Sequence, residues 1–510
     1  MHSKERVMRG ASVLAVLAAA FVAQAEVGVV PYPTSVAERP GSFKCPAGKE
    51  LKQLVKFSMD ASVPSEGYKL SVTADGIKVA SSDDAGAFYA LKTLDQLAKG
   101  EAGETLVPCV EIEDAPRYSW RGMLLDESRH FFGKETVKAV LDQMARFKLN
   151  RFHWHLTDDQ GWRIEVPGHP ELVKCGSWRA HSPKRPDHGG PAGRDRQVSD
   201  GKKYGPFFYT EADVREIVAY AKERHIEVLP EIEFPGHFRA VLAAHPEFAC
   251  DEKDIKGEGA RCTWGIETNV MCAGNDDAVK FVEEILAYVA KLFPFEAVHI
   301  GGDECPKRRW KECPKCQARI KSEGIKDEHA LQAWLTRHMV EFLAKHGKRT
   351  VGWAEFLGPG VPAEAMGMVW RGEHVARDVM NGAAAGHDMI VTPSPFCYLN
   401  HGQKLANDPY PYGGDGRTLE KCYSFDPCNG VTGDAVKRVL GGQGCQWSEY
   451  TWDRKDVEWK YWPRMMALAE VFWLGEKKPG FEDFKRRAAV QRQALVDSGV
   501  NCAPIQSAAE

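Results

Sequence analysis

Two adjacent carboxylic acids, Asp303 and Glu304, end an apolar segment with the sequence EAVHIGGDE. The two glycines before them allow a ligand to approach the backbone closely. A carboxyl group surrounded by tryptophan side chains loses hydration, and this loss raises its pKa toward that of a general acid. A neighbouring carboxyl group stays ionised if it bonds to something that becomes positive. Two carboxyl groups with divergent pKa values in one pocket are typical of enzymes that cleave glycosidic bonds.

The adjacency of the two acids restricts the mechanism. Retaining glycosidases with a carboxylate nucleophile hold their two carboxyl groups about 5–5.5 Å apart, on either side of the reacting carbon. Neighbouring residues cannot easily straddle a sugar in this way. The pair instead fits a reaction in which one acid transfers a proton, the other holds a substrate group, and the substrate supplies the nucleophile.

Eight apolar segments that could position these acids follow from Trp120 onward, most of them separated by helical stretches. This pattern predicts a (β/α)8 barrel. The predicted strands are 120–127, 151–157, 226–233, 296–302, 349–354, 367–371, 387–392 and 442–448. The predicted helices are 134–147, 211–224, 276–292 and 328–346, with weak signals after the fifth and seventh strands. Such barrels place chemistry at the carboxyl ends of their strands, which here carry HLTDDQGW, PEIEFPGH, GGDE, GWAE, VWRG and QWSE.

The remainder of the chain is predicted to form smaller units. Residues 26–115 contain two strands around an Asp-Gly turn and a helix capped by Asp83 or Asp84, which predicts a small α+β sheet domain. The barrel is assigned to residues 116–480, and a C-terminal helix and tail to residues 481–510. The long segments 168–209 and 394–440, rich in Gly, Pro and Tyr, are predicted to be active-site loops.

The N-terminus indicates export. Residues 1–25 combine a basic start, a short apolar core and an Ala-Gln-Ala cleavage pattern, as in a signal peptide. The mature protein is expected to begin near Glu26 and to be periplasmic or secreted. A net charge of −4 over 510 residues argues against nucleic-acid binding. No later apolar run has the length of a membrane span.

Fourteen cysteines in an exported chain permit disulfides. The densest group is Cys305, Cys313 and Cys316, in CPKRRWKECPKC. A zinc site requires a fourth ligand and usually a second CxxC or a paired His motif, and neither follows this group. Local disulfides or free thiols are therefore favoured over a structural metal, and the connectivity is left open.

The motifs WRGMLLDESRHFF, FHWHLTDDQGWRIEV, PEIEFPGH, HIGGDE and QWSE occur in this order, after the opening VVPYPTSV. Together they resemble glycoside hydrolase family 20, the β-N-acetylhexosaminidases, from about residue 30 to residue 480. The resemblance implies an exo-acting, retaining enzyme that removes terminal β-linked GlcNAc or GalNAc through an oxazolinium intermediate. It implies a carbohydrate partner with a terminal 2-acetamido sugar and neither cofactor nor metal. The oligomeric state is left open.

The resemblance also implies residue roles. Glu304 is the acid/base, and Asp303 orients the 2-acetamido group of the sugar. Asp158 and His237 form a relay to the acid, and Tyr398 donates to the acetamido carbonyl. The implied substrate-binding residues are Arg121 for ring hydroxyls, Trp334, Trp353 and Trp447 as walls, Glu449 for a terminal hydroxyl, and Asn400.

Asn400 departs from the family pattern, which commonly has Tyr-x-Asp where this chain has Tyr398-Leu399-Asn400. Asparagine donates and accepts hydrogen bonds but carries no charge. The preference for gluco or galacto sugars therefore stays open.

Two alternatives belong to other classes. His153 and His155 face the same way on an early strand and, with His237, His299 and Asp303, could form a zinc hydrolase site. The other interpretation of His153 and His155 is hydrogen bonding in the barrel core, which is favoured at least for His155. The second alternative is a non-catalytic barrel that binds carbohydrate. It does not explain why Asp158, His237, Asp303 and Glu304 occur together.

Overall fold

The computed structural model describes residues 27–101, 104–184, 197–257, 259–406, 408–409 and 416–505. The predicted signal peptide, residues 1–25, lies outside this part of the chain. Within the described residues, no helix is both long and apolar enough to traverse a bilayer.

The N-terminal region is a six-stranded sheet with one helix. Buried and less buried residues alternate along the third strand, as expected for a half-buried strand. The strand order is β1-β6-β3-β4-β2, with β5 paired to β6 and only β2 parallel to its neighbour. The strands are β1 (Ser35–Cys45), β2 (Val55–Met59), β3 (Tyr68–Thr73), β4 (Gly76–Ser81), β5 (Lys99–Glu101) and β6 (Glu104–Asp114).

The helix of this region, α1 (Asp84–Leu97), begins where its sequence predicts. The side chain of Asp83 accepts a hydrogen bond from the Gly86 amide and caps the first turn. The predicted hairpin is also present, since β3 and β4 pair in antiparallel fashion.

Eight parallel strands close into a barrel, which confirms the predicted fold class. Their bounds lie within a few residues of the predicted ones. They are β7 (Trp120–Asp126), β8 (Arg151–His155), β11 (Glu227–Glu231), β12 (Ala297–His299), β13 (Arg349–Trp353), β14 (Met366–Val369), β15 (Asp388–Val391) and β16 (Val439–Gln446). Two short strands, β9 (Thr157–Asp158) and β10 (Gly161–Trp162), form a hairpin directly after β8.

The four predicted barrel helices are α2 (Lys134–Arg146), α4 (Glu211–Lys222), α6 (Asp276–Leu292) and α9 (Glu328–Lys345). The weak signals after the fifth and seventh strands correspond to a single 3₁₀ turn after β13 and a four-residue helix after β15. The other helices are α3 (Pro170–Gly176), α5 (Arg239–Leu242), α7 (Arg308–Glu312), α8 (Pro314–Ser322), α10 (Val375–Ala384), α11 (Ser394–Cys397), α12 (Leu419–Tyr423), α13 (Arg454–Tyr461), α14 (Arg464–Leu474) and α15 (Phe481–Asp497).

The N-terminal sheet packs against the barrel through α14. Trp473 is fully buried among the apolar residues of the sheet, and its indole nitrogen donates to Asp114 Oδ1 at 2.7 Å. Lys148, between α2 and β8, donates to the other oxygen of Asp114 at 2.9 Å. These contacts leave the carboxyl ends of the barrel strands and their loops available for a site.

Candidate active site

Glycine backbone geometry explains how two neighbouring acids face one site. Strand β12 ends at His299, and Gly301 and Gly302 then adopt positive φ angles of 64° and 95°. A Cβ atom on Gly301 would lie 1.7 Å from Glu233 Oε2, so no larger residue fits there. Glu304 itself has a φ of 45°. Because the chain has left strand geometry, the alternation of side chains no longer applies.

Both acids converge on His237, which follows β11. The His237 Nε2 atom lies 3.6 Å from Asp303 Oδ2 and 3.7 Å from Glu304 Oε2. On the other side of the ring, Nδ1 lies 3.2 Å from Asp158 Oδ1 and 3.4 Å from Asp159 Oδ2. The structure therefore brings together Asp158, His237, Asp303 and Glu304 as predicted, and adds Asp159.

The charges around His237 favour its protonated form. Burial lowers the pKa of His237, but the negative charges of Asp158 and Asp303 outweigh burial and raise it well above its usual range. The imidazolium in turn acts on the two acids unequally. Burial raises the pKa of Asp303, but the charge of His237 overcomes that effect and lowers it overall.

Glu304 shows the opposite shift. Burial and the negative charge of Asp303 raise the pKa of Glu304 above its usual value, and the charge of His237 only partly offsets them. One carboxyl group therefore holds its proton more tightly while its neighbour stays ionised. This is the divergence that the sequence predicts for a proton donor beside a charged partner.

Glu233 is a member of the site that the sequence analysis missed. Its carboxyl group is completely buried beside Asp303, and burial together with the charges of Asp303 and Glu231 raises its pKa well above the usual range. Two ionised carboxylates at this separation would repel each other, so this environment favours the neutral form of Glu233. The available signal was its position in PEIEFPGH, directly after β11.

Four aromatic rings form one side of the site. The Trp353 and Trp447 ring centroids are 5.8 Å apart, and Tyr398 lies 6.0 Å from Trp447. Trp370, absent from the predicted set, stacks on Tyr398 at 6.2 Å. Burial and the negative charge of Asp303 raise the pKa of Tyr398 well above its usual range, so its hydroxyl remains a donor.

The prediction for Trp334 is wrong. This residue lies on α9, where its ring stacks on His338 and the Arg319 guanidinium lies 4.6 Å from its centroid. The α9 residue that reaches the acid loop is Gln332, whose amide donates to the Gly302 carbonyl. Residues two apart on a helix face different directions, so Trp334 points away from the site. Trp370, at the end of β14, takes its place.

The prediction for Arg121 is also wrong. Arg121 is the second residue of β7 and therefore lies at the amino end of the barrel. Its side chain is completely buried and donates to both carboxylate oxygens of Glu66, at 2.8 and 3.0 Å. An arginine held there cannot contact a ligand at the opposite end of the strand.

Arg129 is the arginine that the structure places at the site. It follows the carboxyl end of β7 and lies 2.7 Å from Asp158 Oδ2 and 3.3 Å from Asp126 Oδ2. Its guanidinium carbon lies 5.3 Å from the Trp447 ring centroid. The signal that could have identified it is its position in LLDESRH, immediately past the strand.

Glu449 and Asn400 lie at the edge of the same site. Burial raises the pKa of Glu449, and the nearby Arg129 charge lowers it to a smaller extent. Asn400 follows Leu399, whose amide donates to the Cys445 carbonyl at the end of β16. The Asn400 side-chain oxygen is buried and has no hydrogen-bond partner among the described residues.

The histidines of the zinc-hydrolase alternative bond to core carboxylates. His153 Nε2 and His299 Nδ1 each lie 2.9 Å from an oxygen of Glu231. His155 Nδ1 lies 3.0 Å from Asp126 Oδ1, as the core interpretation predicts. Among the described residues, four groups place histidine and carboxylate atoms close enough to hold an ion. They are His153 with Glu231 and His299, His155 with Asp158 and Glu233, His237 with Asp158 and Asp159, and His237 with Asp303 and Glu304.

Comparisons with known proteins place this geometry in a family. Residues 118–476 match the model of the glycosyl hydrolase family 20 catalytic domain, and residues 49–115 match that family's domain 2. A β-hexosaminidase of Porphyromonas gingivalis is 38% identical, and the alignment covers 90% of this chain and 62% of that protein. A β-hexosaminidase of Akkermansia muciniphila is 32% identical, with 93% and 91% covered. The chain thus spans less than two thirds of the first relative and nearly all of the second.

A solved structure gives the same result. The crystal structure of a family 20 exo-β-N-acetylglucosaminidase from Vibrio harveyi, in complex with N-acetylglucosamine, aligns with a TM-score of 0.82 at 29% identity. The alignment covers 94% of this chain and 78% of that one. Both the barrel and the N-terminal sheet are therefore shared.

Proposed function

Since this chain belongs to glycosyl hydrolase family 20, we propose that it is an exo-acting, retaining β-N-acetylhexosaminidase that removes terminal β-linked GlcNAc or GalNAc from glycans. The observation that carries the proposal is the convergence of Asp303 and Glu304 on His237, with opposite pKa shifts. The N-acetylglucosamine in the V. harveyi structure supports the sugar class. The N-terminal signal pattern supports export to the periplasm or the medium.

The first chemical step uses the substrate as nucleophile. Ionised Asp303 accepts a hydrogen bond from the 2-acetamido N–H and turns the carbonyl oxygen toward the anomeric carbon. Attack by that oxygen forms a ring with a positive charge, which the Asp303 carboxylate stabilises in a water-poor site. Neutral Glu233 fixes Asp303 in this orientation, and Tyr398 donates to the acetamido oxygen.

Glu304 transfers the protons. Its raised pKa keeps it protonated until the leaving oxygen departs, and the resulting carboxylate then removes a proton from the attacking water. The charged His237 ring, held by Asp158 and Asp159, lies beside the carboxylate that forms. Trp353, Trp370 and Trp447 exclude water from the acetamido group and one sugar face, which strengthens each of these electrostatic interactions.

Arg129, Glu449 and Asn400 are the polar groups left to hold the terminal hydroxyls. Arg129 and Glu449 lie on the loops after β7 and β16, and Asn400 lies after β15. Recognition of terminal hydroxyls restricts the enzyme to the non-reducing end of a glycan. This arrangement supports exo action.

A substrate panel tests the proposal. Aryl β-glycosides of GlcNAc, GalNAc and glucose are compared, with and without a thiazoline inhibitor that mimics the cyclised intermediate. We expect turnover of at least one acetamido sugar, inhibition by the thiazoline, and no measurable turnover of the glucoside. Equal cleavage of the glucoside would refute substrate assistance, and inactivity on every acetamido sugar would support the binding-module alternative.

A further inference from the structure

Four cysteine sulfurs converge between the segments that follow β11 and β12. They belong to Cys250, Cys272, Cys313 and Cys316, the last two at the start of helix α8. The Sγ–Sγ distances are 3.6 Å for Cys272–Cys313, 3.6 Å for Cys272–Cys316 and 3.9 Å for Cys250–Cys316. All four sulfurs lie within 4.8 Å of one another, and three of the four residues are buried.

These distances match a tetrahedral metal site. A zinc–sulfur bond of about 2.3 Å places the sulfurs of a regular tetrahedron about 3.8 Å apart. A disulfide would need a separation of about 2.05 Å. We propose that Cys250, Cys272, Cys313 and Cys316 bind one zinc ion as four thiolates.

The sequence-based expectation of local disulfides or free thiols therefore changes. It rested on the apparent lack of a fourth ligand near Cys313 and Cys316. The fold supplies Cys272 and Cys250 from 44 and 66 residues before Cys316. Cys305 is not part of the group. All fourteen cysteines are described, and none forms a disulfide.

The backbone around the cysteines favours thiolates. Cys313 is the N-cap residue of the nine-residue helix α8, where the helix dipole stabilises negative charge. Cys313 and Cys316 are separated by Pro314 and Lys315, which is the Cys-x2-Cys spacing common in zinc sites.

The position of the site suggests what the ion does. The Met271 amide, next to Cys272, donates to the Pro235 carbonyl at 2.9 Å, two residues before His237. The buried Trp310 indole donates to the Met271 carbonyl, also at 2.9 Å. A Cβ on Gly274 would lie 2.2 Å from the Lys315 carbonyl carbon, so the two loops are in direct contact.

The ion would therefore tie the loop after β11, which carries His237, to the loop after β12, which carries Asp303 and Glu304. Four protein ligands leave no open position for substrate or water, so the site is structural. Its role is to hold the two catalytic loops in register.

Metal analysis of the full-length mature protein tests the proposal directly. The protein is produced without an affinity tag that binds metal and purified without chelator, and its metals are measured by inductively coupled plasma mass spectrometry. We expect one zinc per chain. A mercurial that blocks thiols should release the ion, and a colorimetric zinc indicator should record the release. Growth with cobalt should give the visible absorption of tetrahedral cobalt thiolate.

Variants locate the ion. Cys272→Ser and Cys316→Ser should lose zinc to background and melt at lower temperature. Cys422→Ser is the matched control because Cys422 is equally buried and lies outside the group; it should keep one zinc per chain. If the first two variants fail to fold, the wild-type metal content and its release by the mercurial still decide the matter.

Three results would overturn the proposal. The first is wild-type protein stripped of metal that melts at the same temperature as the untreated protein. The other two are iron bound in place of zinc, and disulfides among the four cysteines in non-reducing peptide mass spectrometry. None of these readouts depends on glycosidase activity. The zinc site and the proposed function can therefore fail independently.

Discussion

The two ends of the barrel both bury charged side chains, but only the amino end balances them pair by pair. There, Arg121 bonds to both oxygens of Glu66, and Lys148 bonds to Asp114. At the carboxyl end, the carboxyl groups outnumber the cations, which include Arg129, His155 and His237. The carboxyl groups of that cluster include Asp126, Asp158, Asp159, Glu233, Asp303 and Glu304.

This difference separates stabilising charges from reactive ones. A balanced pair keeps both partners ionised, as the Arg121 charge does when it lowers the pKa of Glu66 against the effect of burial. An excess of carboxyl groups forces protons onto some of them. This effect raises the pKa values of Glu304 and Glu233, and it suits Glu304 to the role of proton donor proposed above.

Removal of the proton donor should give the largest effect. Glu304→Gln is expected to lower kcat on an aryl N-acetyl-β-glucosaminide by about 10³-fold or more, because the amide cannot transfer a proton. Steady-state kinetics measure the loss. The circular dichroism spectrum and melting temperature should match the wild type, and a rate within tenfold of wild type would exclude Glu304 as the acid.

Lysine substitutions at the two arginines sharpen the comparison. Arg121→Lys breaks the two-bond contact with Glu66 and should lower the free energy of unfolding by about 3 kcal/mol, with kcat/KM of the folded enzyme unchanged. Arg129→Lys should lower kcat/KM by about 10- to 100-fold through lost charged hydrogen bonds to the sugar. Denaturant unfolding and kinetics on both variants check this. The reverse pattern would return the sugar-binding role to Arg121.

The pH profile should report the coupling between the two acids. Glu304 must be protonated to act, so kcat/KM falls as pH rises through its raised pKa. Asp303→Asn removes a charge that raises this pKa. The alkaline limb of the residual activity should therefore move to lower pH, by on the order of one unit. A limb that stays in place or moves upward would show that Asp303 does not set the pKa of Glu304.

Glu233→Gln should have the smallest effect. If Glu233 is neutral and donates to Asp303, a glutamine amide replaces that donor, and kcat/KM should stay within about tenfold of wild type. Glu233→Leu removes the donor and serves as the contrasting variant, with a larger loss expected. A loss for the glutamine variant as large as that for the leucine variant would mean that Glu233 acts as a carboxylate.

Much of the fold was predictable because its signals are local. Asp83 caps α1 as the sequence predicts, and the eight barrel strands appear close to their predicted bounds. The cluster around His237 was predictable for a similar reason, since Asp158, His237 and the Asp303–Glu304 pair each lie on the segment that follows a barrel strand. A topology that gathers the ends of parallel strands necessarily brings such residues together.

Arg121, Trp334 and the cysteines were not predictable in this way. Arg121 and Arg129 lie in one continuous motif, and only the strand bounds show which of them is at the carboxyl end. Trp334 lies on a helix face that points away from the site, whereas Trp370 lies at the end of a strand and faces the site.

The sequence by itself determined the order of strands and helices and the candidates for proton transfer, because hydrophobic periodicity, capping and position after a strand are properties of short segments. The tertiary structure decided the direction of each side chain and the grouping of residues far apart in the chain. The charge balance of a cluster and the convergence of Cys250 with Cys316 both depend on distances between residues that are far apart in the chain. No single segment of the sequence contains this information.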